Sequence, residues 1–194
     1  MTTWHWVRHG PTHEKAFVGW RDVPADLSDT RQIARLRQHL PKAAMVVSSD
    51  LQRCTATAEA LLGPRHQRLP HDPALRELHF GDWDGLHFSQ VAKRDPELSR
   101  AYWETPGDIC APGGESWNQT AARVDAAVNR INAAHPTGHI IAVAHFGVIL
   151  TQAQRALGIS PAAVMAHKID NLSVTEIRFD AEGPKLIRLN HLPD

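Results

Sequence analysis

Residues 7–12 read VRHGPT, at the end of a run, TWHWVR (residues 3–8), rich in aromatic and β-branched side chains. That composition predicts a strand, and this strand delivers a cation and an imidazole together at its end. A strand that has simply reached water would account for the pair, with Arg8 in a salt bridge and His9 capping a carbonyl. Gly10 and Pro11 point further, because glycine lets a backbone approach closely and proline fixes a sharp turn. Thr12 adds a hydroxyl and, at the start of a loop, backbone N–H groups suited to an anion.

Working outward from this stretch, strand-like and helix-like segments alternate, which predicts an α/β layered domain. In SDTRQIARLRQHL (residues 28–40), Ile33, Leu36 and Leu40 fall at helical spacing. Asp29 is placed as N-cap there, with Gln32 three residues on. AAMVVSS (43–49) is a buried strand of the kind found in parallel sheets, followed by an alanine-rich helix in DLQRCTATAEALLG (50–63). A short strand is predicted in HQRLPH (66–71). Residues 76–116 read as an irregular loop and helix insertion within one domain spanning 1–194. SWNQTAARVDAAVNRINAAH (116–135) is a helix with an apolar stripe of Val124, Val128 and Ile131. GHIIAVAH (138–145) is the most strand-like run, and FGVILTQAQRALG (146–158) the helix after it. SVTEIRFD (173–180) and KLIRLNHL (185–192) alternate as an antiparallel pair closing the sheet.

Acidic and basic side chains balance at 21 each in 194 residues, so no global field recruits nucleic acid or an anionic membrane. A bound anion must therefore be held by local positive charge. Arginines far outnumber lysines, and arginine is the better two-pronged ligand for phosphate. Two cysteines, Cys54 and Cys110, build no disulfide framework and have no zinc-like spacing. With no secretory signal pattern and no membrane-length apolar run, a cytoplasmic protein is the expectation. HGPTHE lacks the H-E-x-x-H spacing of a metal site, so no metal is expected.

Three strand ends carry unusual chemistry: Arg8–His9, Ser48–Ser49–Asp50, and His145. Ligands of open α/β sheets bind outside the carboxyl ends of the strands; if these strands are parallel neighbours, the three ends share one crevice. Arg53 falls in the first turn of a helix, where free N–H groups and the macrodipole favour anions. A cation there calls for a partner, either Asp50 or a bound phosphate. Glu77, in LRELHFGDWDG (75–85), is either part of a surface charge cluster or a residue fixed by a tight loop around Gly81, Trp83 and Gly85. Beside a phosphate dianion its pKa would rise, making it a general acid. His145, in VAHFG (143–147), is a hydrogen-bonded core histidine or a phosphate contact.

Taken together, these segments resemble the histidine phosphatase superfamily, the phosphoglycerate mutase-like proteins. RHGPT resembles that family's R-H-G-x-T signature and SSDLQRCTATA its S-D-L-x-R-x-x-x-T-A segment. RELHFGDWDG resembles its R-E-x-x-F-G-x-W-x-G segment, and VAHFG its second-histidine motif. The resemblance spans most of the chain and is strongest to the phosphatase branch that includes α-ribazole phosphatases. It implies a three-layer α/β/α fold with a mostly parallel central sheet. It also implies a metal- and cofactor-independent phosphatase acting on a small phosphorylated metabolite. In that scheme His9 is the nucleophile that forms a phosphohistidine. Arg8, Arg53 and His145 surround the phosphoryl oxygens, Glu77 is the proton donor, and Thr12 and Lys15 are further substrate contacts. A cofactor-dependent phosphoglycerate mutase and a non-catalytic phosphate-binding module are the alternatives. Oligomeric state is left open, a homodimer included.

The match departs in one place. Lys15 stands where many relatives have asparagine, the loop from there to Gly19 is short, and VGWRDVPADLS (18–28) carries two extra residues before Leu27. In APGGESWNQ (111–119), Ser116 reads as N-cap of the long helix, with Gln119 completing a capping box, or as a substrate contact. Trp20, Trp103 and Trp117 read as core residues or as walls of a pocket for an apolar leaving group.

Overall fold

The computed structural model describes all 194 residues. Its centre is one six-stranded sheet in the order β3-β2-β4-β1-β5-β6. The strands are β1 (Thr2–Arg8), β2 (Ala43–Ser48), β3 (Arg65–Arg68), β4 (Gly138–Ala144), β5 (Val174–Asp180) and β6 (Gly183–His191). β3, β2, β4 and β1 run parallel, β5 runs antiparallel to β1, and β6 runs antiparallel to β5. The helices are α1 (Thr30–His39), α2 (Gln52–Leu61), α3 (Phe88–Arg94), α4 (Pro96–Glu104), α5 (Trp117–Ala134), α6 (Phe146–Leu157) and α7 (Pro161–Met165).

Side chains alternate across a strand, and here both faces are apolar. Trp4, Trp6, Ile140, Ala142 and Ile177 pack with Val124, Val128 and Ile131 of α5 and Val148 and Ile149 of α6 in one core. Val7, Val46, Ile141, Val143 and Val174 pack with Leu36 of α1 and Ala58 and Leu61 of α2 in a second core. Helices therefore cover both faces, giving the expected three-layer α/β/α arrangement. The two tryptophans of β1 stack at 4.9 Å, and Trp4 Nε1 donates to Asn132 Oδ1 on α5, anchoring the strand that carries the R-H pair.

Helix termini follow local chemistry. Asp29 caps α1 by accepting from Gln32 N, and Ser116 with Gln119 forms a reciprocal capping box on α5. Two boundaries differ from expectation. α2 begins at Gln52 and ends at Leu61 rather than filling 50–63, because Leu51 is extended at its N-cap. β3 covers Arg65–Arg68, ahead of the predicted 66–71. α7 has five residues, too few to show a helical period; Ser160 caps it and Pro161 starts it. No helix is long and apolar enough to cross a membrane.

His5 lies buried on the α1 face of the sheet. Its Nε2 meets His139 Nδ1 at 3.1 Å, and its Nδ1 is 3.5 Å from Glu176 Oε1. His39 Nε2 approaches the same oxygen at 3.6 Å. Burial pulls the His5 pKa down to about 4, against the pull of Glu176. The unfolded chain, with an ordinary histidine, therefore binds more protons than the native one below pH 6.5. Stability falls as pH drops from about 6.5 toward 4, by up to ~1.4 kcal/mol per unit per such group. With His9 and His145 depressed in the same sense, the melting temperature is expected to drop on the order of 10 °C between pH 7.5 and 5. A melting temperature flat across that range contradicts the assignment; His5→Gln should reduce the slope.

Candidate active site

Because β2, β4 and β1 are adjacent and parallel, their carboxyl ends share one edge. His9 N donates to Ala144 O at 3.1 Å and Ser49 N to Val143 O at 3.0 Å, so His9, Ser49 and His145 stand side by side. The two imidazole rings are 5.2 Å apart, edge to face.

His9 is 6% exposed. Its Nδ1 lies 2.7 Å from Gly10 O, and a carbonyl only accepts, so Nδ1 carries the ring hydrogen and Nε2 keeps a free lone pair. Burial, reinforced by Arg53 and Arg8, lowers its pKa to about 3. The ring stays neutral through the physiological range. Asn171 Nδ2 donates to His9 O. Gly10 N donates to Thr57 Oγ1, which itself donates to Arg53 O, so one hydroxyl ties the histidine loop to α2. A β-carbon at Gly10 would sit 2.6 Å from Leu27 Cδ2 and 3.1 Å from the Asp26 carbonyl oxygen, so the 25–27 segment packs closely on this backbone.

Arg53 is the only arginine fully removed from solvent, at 1% exposure. It is not paired with Asp50; Arg76 takes that carboxylate with two hydrogen bonds, 2.8 and 2.6 Å. Carbonyls hold Arg53 instead, at Gly19 O (2.7 Å) and Arg21 O (2.9 Å), and its Nε donates to His145 Nδ1 at 3.2 Å. That bond leaves the His145 hydrogen on Nε2. Burial first, then Arg53 and His9, push the His145 pKa well below its ordinary value. The Cys54 sulfur packs against the same ring, 3.4 Å from Nε2, and burial pushes its thiol up, so it stays protonated. Arg8 donates to Ile169 O at 2.7 Å and lies 5.6 Å from the Phe146 ring centroid, while its buried Nε has no partner. Two guanidiniums thus face the site with no carboxylate in ion-pair contact.

Glu77 enters from the loop after β3 and is 7% exposed, so it is no surface charge. Its Oε1 accepts from Leu78 N at 3.0 Å and from Gly147 N, in the first turn of α6, at 3.1 Å. Burial raises its pKa, opposed by those two N–H groups and by Arg53 and Arg8. A β-carbon at Gly147 would lie 2.0 Å from Leu78 Cδ1 and 2.6 Å from Glu77 Oε1. Gly147→Ala is therefore expected to displace the carboxylate and lower kcat about 100-fold, while the protein still folds with ~1–3 kcal/mol less stability. Steady-state kinetics beside a thermal melt checks this, and wild-type kcat contradicts it.

Thr12 Oγ1 accepts from Glu14 N at 3.4 Å, shaping the loop beyond the histidine. Lys15 is exposed on that loop and makes no ion pair. Ser116 is buried as a helix cap. Trp20 stacks on His79 at 4.1 Å and donates from Nε1 to Glu77 O, so it braces the glutamate segment. Trp103 and Trp117 line a cleft beside Glu77.

Several positioning residues escaped the sequence reading. Asp84 accepts from the successive N–H groups of Gly19, Trp20 and Arg21. With the amides turned to Asp84, the carbonyls of Gly19 and Arg21 turn to Arg53. Arg123, paired to Glu115, donates to the carbonyls of Ala74, Arg76 and Glu77. Thr57 and Gly147 lay within the quoted motifs, and Asp84 within GDWDG, but only their contacts reveal what they hold.

A neutral imidazole with a free lone pair, two guanidiniums without carboxylate partners and a buried carboxyl with a raised pKa stand together at one edge of a doubly covered α/β sheet. The chain belongs to the histidine phosphatase superfamily: the description of its branch 1 matches residues 5–192. It is 34% identical over 185 residues to phosphoglycerate mutase-like protein 4 of Arabidopsis thaliana, covering 91% of this chain and 79% of that one. It is 25% identical over 169 residues to the adenosylcobalamin/α-ribazole phosphatase of Escherichia coli, covering 84% and 83%. Among solved structures, Bacillus stearothermophilus YhfR superposes with a TM-score of 0.88 at 26% identity, covering 96% of each chain.

Proposed function

We propose that this protein hydrolyses a small phosphomonoester through a phosphohistidine on His9, without a metal. The observation that carries the reading is the neutral, hydrogen-locked His9 ring beside two guanidiniums that lack carboxylate partners. In the first step the Nε2 lone pair attacks phosphorus and the P–O ester bond breaks. Glu77 gives its proton to the departing oxygen. In the second step water attacks the phosphohistidine, Glu77 takes a proton from it, and the P–N bond breaks to free phosphate and neutral His9.

Arg8, Arg53 and the Nε2–H of His145 take the non-bridging oxygens, where charge concentrates during transfer. One unit-charge contact near 4 Å is worth ~4 kcal/mol at an effective dielectric of about 20, before desolvation. Two such contacts offset the cost of placing a dianion beside Glu77. That dianion in turn raises the Glu77 pKa further, keeping its proton available for the first step.

The test is a rapid quench during turnover of an aryl phosphate, with chelator present. A phosphoenzyme that is labile in acid and stable in alkali, together with release of inorganic phosphate, is the expected result. An alkali-labile phosphoenzyme, or turnover abolished by the chelator, overturns the mechanism. Interconversion of 2- and 3-phosphoglycerate without net phosphate release would assign a mutase instead.

A further inference from the structure

A narrow cleft opens against Glu77 and Gly147. Glu77 is the only charged residue among the twelve that line it, and eight of them are apolar. Its walls come from separate elements: Trp103 from α4, Ile109 from the following loop, Trp117 from α5, Phe146 from α6 and Met165 from α7. Phe146 joins this cleft to the phosphate side, since the Arg8 guanidinium lies 5.6 Å from its ring centroid. Trp103 is held rigid by stacking on Phe17 and by the edge of Tyr102. Two polar atoms of lining residues, Tyr102 Oη and Trp103 Nε1, are buried with no hydrogen-bond partner.

The geometry points to a substrate whose leaving alcohol is aromatic or otherwise apolar and uncharged, seated in this cleft with its ester oxygen at Glu77. The inference rests on the phosphatase reading above and adds the substrate class. A flat ring matches the faces and edges of Trp103, Trp117 and Phe146. A carboxylate-bearing ester, such as a phosphoglycerate, would bury a second negative charge against an apolar wall. No cation lines that wall, so its desolvation goes uncompensated.

Binding of two non-hydrolysable phosphonates, measured by titration calorimetry on the wild-type protein, tests this without requiring turnover. 2-Phenylethylphosphonate is expected to bind at least about tenfold more tightly than 2-carboxyethylphosphonate. Equal affinity, or preference for the carboxylate, overturns the inference. Trp103→Ala should shrink the ratio to about threefold or less, and a ratio unchanged in the folded variant removes the ring site. Should that variant fail to fold, Ile109→Lys supplies the missing cation and is expected to shift preference toward the carboxylate; an unshifted ratio counts against the cleft. A phenyl preference alongside no phosphate release in the turnover experiment would sink the phosphatase reading alone.

Discussion

Replacing His9 by alanine is expected to lower turnover of any phosphomonoester by at least about 10⁴-fold. The variant loses the only group in the site with a free nucleophilic lone pair, and no phosphoenzyme should form on quenching. It should still bind inorganic phosphate, because Arg8, Arg53 and His145 are held by contacts that do not pass through the His9 side chain. Its melting temperature should stay near wild type, since the ring makes one hydrogen bond, to its own neighbour Gly10. Burst kinetics and phosphate titration separate these outcomes. Equal phosphate release by wild type and His9→Ala removes the mechanism.

Glu77→Gln should lower kcat for alkyl phosphates by about 10²- to 10⁴-fold, the usual worth of a positioned general acid. The amide oxygen still accepts from Leu78 N and Gly147 N, so the loop keeps its shape. With nitrophenyl phosphate the result should differ in kind. That leaving group departs without a proton, so the first step proceeds, whereas hydrolysis of the phosphohistidine lacks its base. A burst of one equivalent of nitrophenol followed by slow turnover is the expected trace. In the wild type, activity on alkyl esters should fall as pH rises through the Glu77 pKa, which burial has raised. The variant should lack that limb, and unchanged turnover with poor leaving groups would take Glu77 out of the acid role.

Much of this arrangement was legible in the chain because the informative side chains sit where a strand ends. Residues 2–8, 43–48 and 138–144 have the composition of buried strands; the first ends in Arg8 and is followed by His9, and the other two are followed within a few residues by Arg53 and His145. Local chemistry also settled the caps: Asp29 and Ser116 bond to backbone three residues away, a distance that sequence encodes directly. Boundaries were less legible where the winning contact was remote. Arg53 and Asp50 are three residues apart and of opposite charge, yet Arg76 takes the aspartate. Arg53 is directed instead to carbonyls more than thirty residues away in sequence.

By itself, then, the sequence determined the layered α/β class, the order of the six strands and the four longest helices, and which few side chains stand at strand ends. These depend on periodicity and on neighbours within one or two turns. Only the tertiary structure decided what those side chains are. The β2-β4-β1 order placed three distant strand ends on one edge. Asp84 turned a loop so that its carbonyls hold Arg53. Gly10 O set the hydrogen on the His9 ring, and burial made His9 neutral and raised Glu77. Desolvation and hydrogen-bond direction depend on everything packed around a group, and most of that comes from elsewhere in the chain.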